Sequence, residues 1–312
     1  MADRRRVNGP GSSTLPPVYD DGELNAASRR QRAPDAIRPL CETKPIPTIC
    51  SYMSYHENLE TKTLRLDLKT GVTPSASGSA YLEIEPREGE HGSGMKLTCT
   101  VHGPRSLPRS APFSPYMVLS THVKFAPFAT KQRRGYLRDS SEKDLSTHLE
   151  TALRGALIAD RWPKSGVDIV VTIIEGESTR QDAVERRVEE WDVMNVLGGC
   201  ITVASAAIAD AGIDCVDTVS GGVAALVASK DGNDASIVLD PVALEHESVM
   251  AACCVAYLPN RDEVTNLWFK GQLPLSASYN HQSLVSRAVQ ASRGTHGLIS
   301  ASLSEAIGST QN

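Results

Sequence analysis

One stretch of the chain, residues 239–259, limits the possible folds more than any other. It opens with Leu239-Asp240-Pro241, passes through the acidic turn Glu245-His246-Glu247 and continues into a run that is apolar on both faces. A strand that is apolar on both faces is typical of the buried centre of a sheet, because neighbouring layers cover both of its sides. The stretch therefore predicts a strand, a turn at the rim of a sheet and a central strand. Such a rim turn is a natural place for a catalytic carboxylate, so its residues bear on whether the chain is an enzyme or a scaffold.

The composition is that of a globular protein. Apolar residues make up 40% of the 312 positions and charged residues 22%, which is ordinary for a chain that buries one large domain or two small ones. No uninterrupted apolar run approaches the roughly 18 residues of a membrane span, so we expect no such span. The first residues are followed by Gly, Ser and Pro rather than by an apolar segment, which argues against a secretory signal.

The cysteines predict neither a disulfide framework nor a metal site. There are seven of them, an odd number, and none has the C-x-x-C spacing of a zinc site or a redox motif. Cys253 and Cys254 are adjacent and point to opposite faces of a predicted strand, where they behave as small hydrophobic residues. A reducing intracellular compartment fits this usage best.

The charge is unevenly distributed along the chain. The formal net charge is −5, yet the segment from Lys96 to Arg138 contains eight basic residues and no acidic one, which leaves −13 for the remainder. A basic segment on an acidic body indicates one edge that faces a polyanion. A merely solvated basic stretch is the alternative.

The hydrophobic periodicity predicts an α+β domain made of two similar halves, in which a run of strands and a helix is followed by a second such run. Residues 1–31 are predicted to be a disordered basic tail, residues 32–308 the folded domain and residues 309–312 a second tail, and the charged segment 176–192 is interpreted as an insertion. Strands are predicted around residues 64–69, 80–85, 95–102, 116–123, 167–174, 223–229, 236–240 and 264–270, and helices over 142–159, 198–211 and 282–307. Ser140 or Ser141 is the predicted cap of the first helix, and Gly294 and Gly297 are predicted weak points of the last.

An ordered set of short motifs resembles the RNase PH family over roughly residues 35 to 305. The set comprises Ser79-Ala80-Tyr81-Leu82-Glu83, Gly103-Pro104-Arg105, Lys124-Phe125-Ala126-Pro127-Phe128, Ala152-Leu153-Arg154, Ala207-Ile208-Ala209-Asp210-Ala211-Gly212-Ile213 and Val238-Leu239-Asp240-Pro241. Within the family, the Ala-Pro-Phe segment and the arginine pair that follows it look most like a ring subunit of the eukaryotic RNA exosome.

The resemblance implies an RNase PH-like α+β fold with two similar βαβ-containing halves, mixed sheets and packed helices, assembled in six-membered rings. Active members of the family degrade RNA from its 3′ end by phosphorolysis. They hold phosphate on a Gly-Gly-Thr-Arg loop at a helix start, where backbone N–H groups and an arginine bind the anion. They also use an Asp-x5-Asp pair that binds a divalent metal and assists proton transfer.

These elements do not carry over to this chain. By its distance from Asp240, the first carboxylate of the pair falls on His246 and the second on Ala252, and alanine neither ligates a metal nor moves a proton. The phosphate loop falls on residues 194–197, so that the phosphate-binding arginine is replaced by Leu197. A further active-site arginine aligns near Ser141, where Glu142 and Asp144 would repel phosphate. The resemblance therefore implies a chain with no catalytic residue, no metal site and no cofactor.

The acidic turn itself leaves one alternative open. His246 with Glu245 and Glu247 could form an improvised metal or acid–base site. The simpler interpretation is a solvated acidic turn that is kept for a contact between subunits.

The basic loops are the predicted RNA-binding residues. In the family, the loop after Gly-Pro-Arg faces the central pore of the ring. We expect Arg105 and Arg109 to bind phosphates of RNA in this channel, with Lys131, Arg133 and Arg134 near its path, through non-specific and salt-sensitive contacts. Contacts to acidic residues of a neighbouring subunit are the alternative.

The predicted function is that of a non-catalytic subunit of the exosome ring that supports 3′-to-5′ RNA processing and decay. Its implied partners are related RNase PH-like ring subunits, RNA-binding cap subunits, RNA and a separate catalytic nuclease, with no membrane, in the nucleus, the nucleolus and the cytoplasm. An active phosphate-dependent exoribonuclease and a free-standing RNA-binding protein are the alternatives.

Overall fold

Nine strands and three α-helices form the described part of the chain. The computed structural model describes residues 66–84, 94–108, 110–129, 135, 137, 139–176, 188–228, 235–241, 249–273 and 280–310. The strands are β1 Leu66–Thr70, β2 Gly78–Ile84, β3 Met95–Ser106, β4 Val118–Phe125, β5 Ser165–Glu175, β6 Ser220–Ala228, β7 Ala235–Leu239, β8 Val249–Leu258 and β9 Glu263–Gly271. The α-helices are α1 Ser140–Arg154, α2 Val188–Asp210 and α3 His281–Thr310, and a short 3-10 turn covers Ala159–Arg161.

The strands form two sheets. The first has the order β1-β2-β3-β5-β4, with antiparallel neighbours except for the parallel pair β4 and β5. The parallel pair is possible because α1 supplies the crossover between its two strands. The second sheet has the order β7-β6-β8-β9 and is antiparallel throughout.

The sheets and helices alternate as layers around a continuous core. Helix α2 contacts β2 and β3 of the first sheet and β6 and β8 of the second, while α3 packs on the opposite face of the second sheet. Strand β8 shows this directly, because its alternate residues belong to different cores. Ala252 and Cys254 lie in the core shared with α2, whereas Cys253 and Val255 lie in the core under α3. The predicted central strand, apolar on both faces, is therefore confirmed.

Two adjacent glycines allow β6 to lie between α2 on one of its faces and α3 on the other. A Cβ atom on Gly221 would lie 2.2 Å from the carbonyl oxygen of Gly198 in α2. On the other face, a Cβ atom on Gly222 would lie 2.2 Å from the carbonyl oxygen of Ala288 in α3. Both distances are far below van der Waals contact and involve backbone atoms, so no side chain fits at either position.

Helix α2 begins ten residues earlier than its small-residue pattern indicates. The sequence predicts a helix from Gly198, but the helix starts at Val188, so residues 188–192 of the predicted insertion belong to it. Its segment Val193–Asp210 is long and apolar enough to cross a membrane, and 78% of that segment is buried inside the fold. The segment also contains Asn195, Thr202 and Asp210, so it is not an uninterrupted apolar run, and its burial between two sheets is that of a core helix.

Other boundaries differ by smaller amounts. Helix α1 ends at Arg154, with Gly155 as its C-cap, rather than at residue 159, and its N-cap is Asp139 rather than Ser140 or Ser141. Helix α3 continues through Gly294 and Gly297 to Thr310, two residues into the predicted C-terminal tail. The predicted N-terminal tail and most of the charged insertion lie outside the described residues.

The described cysteines are buried thiols or nearly so. Cys99, Cys200, Cys215, Cys253 and Cys254 are free. Burial raises the pKa of Cys253 to about 12 and that of Cys215 to about 11, and it also raises the pKa values of the other three. All five are therefore protonated and poorly nucleophilic at neutral pH, as expected for small core residues.

Replacing Gly222 by alanine tests the close packing of β6. Because the new methyl group meets the backbone of α3, we expect the free energy of unfolding to fall by about 1–3 kcal/mol or more. Gly297→Ala is the matched control, since a Cβ atom there meets nothing within 4 Å and alanine favours the helix by up to ~1 kcal/mol. Equal effects of the two substitutions in urea unfolding would contradict the proposed packing constraint.

Candidate functional site

Leu197, the residue predicted to stand in place of the phosphate-binding arginine, lies in the middle of a core helix. Leu197 is the tenth residue of α2 and has an exposed fraction of 0%. The helix begins at Val188, so the amides of residues 194–197 fall beyond its first four positions and inside its hydrogen-bond ladder. An anion site at a helix N-terminus needs unpaired amides at the helix start, and residues 194–197 do not have that position.

The position predicted for the second carboxylate is equally enclosed. Ala252 has an exposed fraction of 1% and lies near the start of β8, opposite Ala225 of β6 and Lys270 of β9. Its methyl group packs in the core shared with α2. A carboxylate here would have to be desolvated, which is costly without a paired cation or a metal. His246, the position of the first carboxylate, lies outside the described residues together with Glu245 and Glu247.

The two predicted parts of the site are nevertheless neighbours in space. The side-chain amide of Asn195 in α2 donates to the carbonyl oxygen of Pro241, directly before the acidic turn. Asp240 adopts a left-handed backbone conformation with a φ of 47°, and its amide donates to the Val223 carbonyl at 2.9 Å. The segment aligned with the phosphate loop and the segment that leads into the acidic turn are therefore neighbours in the fold.

A small cavity remains between these segments and α3. It measures about 70 Å³, and its wall includes Asn195, Gly198, Gly222, Asp240 and Thr295. Its described wall thus includes Asn195 and Asp240, one residue from each of the two aligned segments.

Glu142, the acidic residue next to the further arginine position near Ser141, has a structural task. Glu142 is 1% exposed, and its Oε1 accepts a hydrogen bond from the amide of Phe125 in β4 at 2.9 Å. Its Oε2 accepts from the amide of Asp139 at 3.3 Å, as in a helix capping box. The same carboxylate thus fixes the start of α1 and covers part of the outer edge of β4.

Ser146, one helical turn further along α1, covers the next part of the outer edge of β4. Its hydroxyl oxygen accepts from the Val123 amide at 3.0 Å and donates to the Glu142 carbonyl at 2.7 Å. The hydroxyl of Thr121 donates to the Ser146 carbonyl at 2.8 Å. Because β4 is the last strand of its sheet, these contacts satisfy amides that no neighbouring strand reaches.

Among the predicted RNA-binding residues, only Arg105 lies in the described part of the chain. Its guanidinium forms an ion pair with the Asp168 carboxylate of β5, while 65% of the Arg105 side chain stays exposed. The backbone of β3 bulges just before it, between His102 and Arg105. Gly103 sits in this bulge with a φ of 139°, and a Cβ atom there would lie 2.7 Å from the Gly166 carbonyl. The bulge and its glycine therefore set the position of Arg105 at the end of β3.

The two basic loops start from opposite ends of the first sheet. Arg105 lies opposite Gly166, and so does Val118 at the start of β4. Lys131, Arg133 and Arg134 follow the far end of β4, which pairs with Ile173. Their side chains and that of Arg109 lie outside the described residues, so their predicted RNA contacts stay a prediction.

The sequence reasoning missed two features of this region. The pairing of Arg105 with Asp168 joins residues 63 positions apart, and no local pattern signals it. The role of Glu142 did have a signal, because Asp139-Ser140-Ser141-Glu142 has the spacing of a capping box. The burial of Glu142 and its two hydrogen bonds add a structural role to the repulsion of phosphate that the sequence predicts.

The chain is similar to known proteins along most of its length. The family model described as "3′ exoribonuclease family, domain 1", RNase PH, matches residues 64–214. A protein named exosome complex component MTR3 from Chaetomium thermophilum is 57% identical over 99% of this chain and 100% of its own length. The human exosome complex component MTR3 is 26% identical over 89% of this chain and 86% of its own.

A more distant relative and a solved structure extend the comparison. The exosome complex component Rrp41 of Cenarchaeum symbiosum is 27% identical over 68% of this chain and 75% of its own length. The crystal structure of rice Rrp46 superposes with a TM-score of 0.59 at 14% identity and covers 88% of this chain and 98% of that one. The predicted fold is therefore confirmed.

Replacing Glu142 by alanine tests its structural task. We expect the free energy of unfolding to fall by about 1–3 kcal/mol, because a buried backbone donor of β4 loses its acceptor. Asp144→Ala is the matched control, since Asp144 is an exposed acid on the same helix and its removal should change stability by no more than about 0.5 kcal/mol. A Glu142→Ala protein as stable as the Asp144→Ala protein in urea unfolding would contradict the assigned role.

Proposed function

The chain belongs to the RNase PH family, and on this premise we propose that it is a non-catalytic subunit of the RNA exosome ring. In this role it completes a ring of related subunits that supports 3′-to-5′ processing and degradation of RNA. The proposed place in the exosome ring is supported by the 57% identity to an exosome complex component over nearly the whole of both chains.

The proposal that this subunit is not a catalyst is supported by the burial of Leu197. Phosphorolysis needs a cation and free amides around the attacking phosphate. At this position the chain has an apolar side chain enclosed in a helix between two sheets. Ala252 at the second carboxylate position and Glu142 near the further arginine position support the same conclusion from two other parts of the fold.

Arg105 is the described residue that best supports a contact to RNA. Its guanidinium carries five N–H donors in a fork, and one nitrogen is engaged by Asp168. The exposed remainder suits a phosphate oxygen, and such a contact is independent of base sequence. Arg109, Lys131, Arg133 and Arg134 are proposed as further phosphate contacts along the channel.

The remaining assignments follow from the same premise. The proposed partners are other RNase PH-like ring subunits, RNA-binding cap subunits, RNA and a separate nuclease that performs the hydrolysis. Residues 32–308 are proposed as one RNase PH-like unit between two short tails. The proposed compartments are the nucleus, the nucleolus and the cytoplasm.

A product assay separates this proposal from an active phosphorolytic enzyme. We expect a reconstituted ring with RNA, inorganic phosphate and Mg²⁺ to release no nucleoside diphosphate that depends on this chain. The comparison is a ring whose chain carries Glu245→Ala, His246→Ala and Glu247→Ala, which removes every ionisable side chain of the acidic turn. Release of nucleoside diphosphates from the native ring that disappears in the triple variant would overturn the non-catalytic assignment.

A pair of substitutions tests the RNA contact of Arg105. In the ring, Arg105→Gln should weaken binding of single-stranded RNA and lower the slope of log Kd against log salt by roughly 0.7. Asp168→Asn is the matched control, because it breaks the same ion pair but leaves the cation in place. It should leave RNA affinity unchanged or increase it. Equal losses of affinity in both variants would mean that the ion pair only holds β3 against β5, and the RNA contact would be rejected.

A further inference from the structure

A phenylalanine is held in solvent at the end of the first sheet where Arg105 lies. The side chain of Phe113, in the loop between β3 and β4, is 73% exposed. The Nζ atom of Lys164 lies 5.4 Å from the centroid of its ring. A cation at this distance is attracted by the ring face, so the lysine occupies one side of the ring and solvent the other.

The backbone around Phe113 is fixed rather than loose. The Lys164 amide donates to the Ser114 carbonyl at 3.3 Å, and the Ala111 amide donates to the Pro108 carbonyl at 2.9 Å. At the end of the loop, the Met117 amide donates to the Ala159 carbonyl at 3.0 Å. Prolines at positions 108, 112 and 115 restrict the backbone further. Because the loop is rigid, the exposed ring is already positioned for a partner, and binding costs little conformational entropy.

Lys164 is held in an unusual backbone conformation. Its φ is 57°, in the left-handed region that residues with a side chain rarely adopt. The conformation persists because hydrogen bonds fix the residue on both sides: its amide donates to Ser114, and its carbonyl accepts from the Leu107 amide at 3.3 Å. Strained residues of this kind are concentrated at functional sites, and here the strained residue places a cation beside the exposed ring.

The surroundings combine rings and cations. Arg105 is two residues before Leu107 in the chain, and its β5 neighbour Gly166 is two residues after Lys164. Tyr116, 56% exposed, and the half-exposed Trp162 lie in the same two connecting segments. Residues 103–117 contain no acidic side chain. Aromatic rings interleaved with cations on an electropositive loop are the arrangement with which proteins bind single-stranded RNA.

We propose that Phe113 stacks on a base of single-stranded RNA, with Lys164 and Arg105 as the cations beside it. The inference rests on the proposed function and adds a base-stacking residue to its RNA path. RNA is favoured over a protein partner because the ring is neighboured by a lysine and by prolines, whereas the centre of a protein interface is depleted of charge and well packed. Stacking on a ring does not use the hydrogen-bonding groups of the base, so the contact would accept any RNA sequence.

The affinity test uses leucine, which keeps the apolar bulk of the ring and removes its π face. In the reconstituted ring, with a fluorescently labelled oligouridylate, Phe113→Leu should weaken binding roughly 5- to 150-fold, the ratio given by about 1–3 kcal/mol per stacked base. The salt slope should not change, since no charge is removed. Phe128→Leu is the matched control, because Phe128 is also 73% exposed but follows the opposite end of β4; its affinity should equal that of the native ring.

A spectroscopic test reports the stack directly. Phe113→Trp should retain affinity, and its tryptophan emission should be quenched by the oligouridylate beyond the quenching of the native ring. Phe128→Trp should show no additional quenching. Native affinity of the Phe113→Leu ring, or equal quenching in both tryptophan variants, would overturn the proposal.

The outcomes also separate this inference from the proposed function. If Arg105→Gln weakens RNA binding and Phe113→Leu does not, the stacking role fails while the RNA contact of the ring stands. If native mass measurement shows that Phe113→Leu prevents ring assembly, Phe113 is a subunit contact and the stacking role is rejected. If the native chain forms no ring with related subunits, the proposed function itself fails.

Discussion

The close contact between α2 and β6 is the constraint on which the rest of the structure depends. Gly198 and Gly221 meet backbone to backbone, which draws the central helix down onto the second sheet. The same helix packs against β2 and β3 on its other side. Leu197, next to Gly198, is fully buried, and an arginine in its place would be an uncompensated buried charge. The packing of the core therefore requires an apolar residue at this position.

The sequence predicted the fold well where hydrophobic periodicity is strong. The alternation in β2 and β3 and the two-faced apolar character of β8 led to the correct layers. The start of α2 was missed because residues 188–192 carry the charges of a solvated segment, while their helical state follows from continuation of a buried helix. The sequence did predict a strand, residues 116–123, between Arg105 and the second basic loop. It did not predict that this strand pairs with β5, which places Val118 and Arg105 opposite the same residue, Gly166.

The basic segment from Lys96 to Arg138 is less electropositive in the fold than its sequence indicates. Lys96 forms ion pairs with Glu83 at 3.4 Å and with Glu175 at 3.2 Å, and Arg105 is paired with Asp168. The acids that neutralise these cations come from β2 and β5, which lie on either side of β3. A count of charges along one segment therefore overestimates its field, because antiparallel neighbours bring their own side chains to the same face. What remains distinctive about this end of the molecule is the combination of an exposed cation with exposed rings.

The cover that α1 provides for β4 has a consequence for the life of the chain before assembly. A subunit of a hetero-oligomer exists for a time without its neighbours, and an open strand edge is then a template for aggregation. The amides of Val123 and Phe125 are occupied by Ser146 and Glu142, so this part of the edge has no donor to offer a foreign strand. The carboxylate of Glu142 and the hydroxyl of Ser146 thus keep this part of the edge closed to a foreign strand before the chain meets its partners.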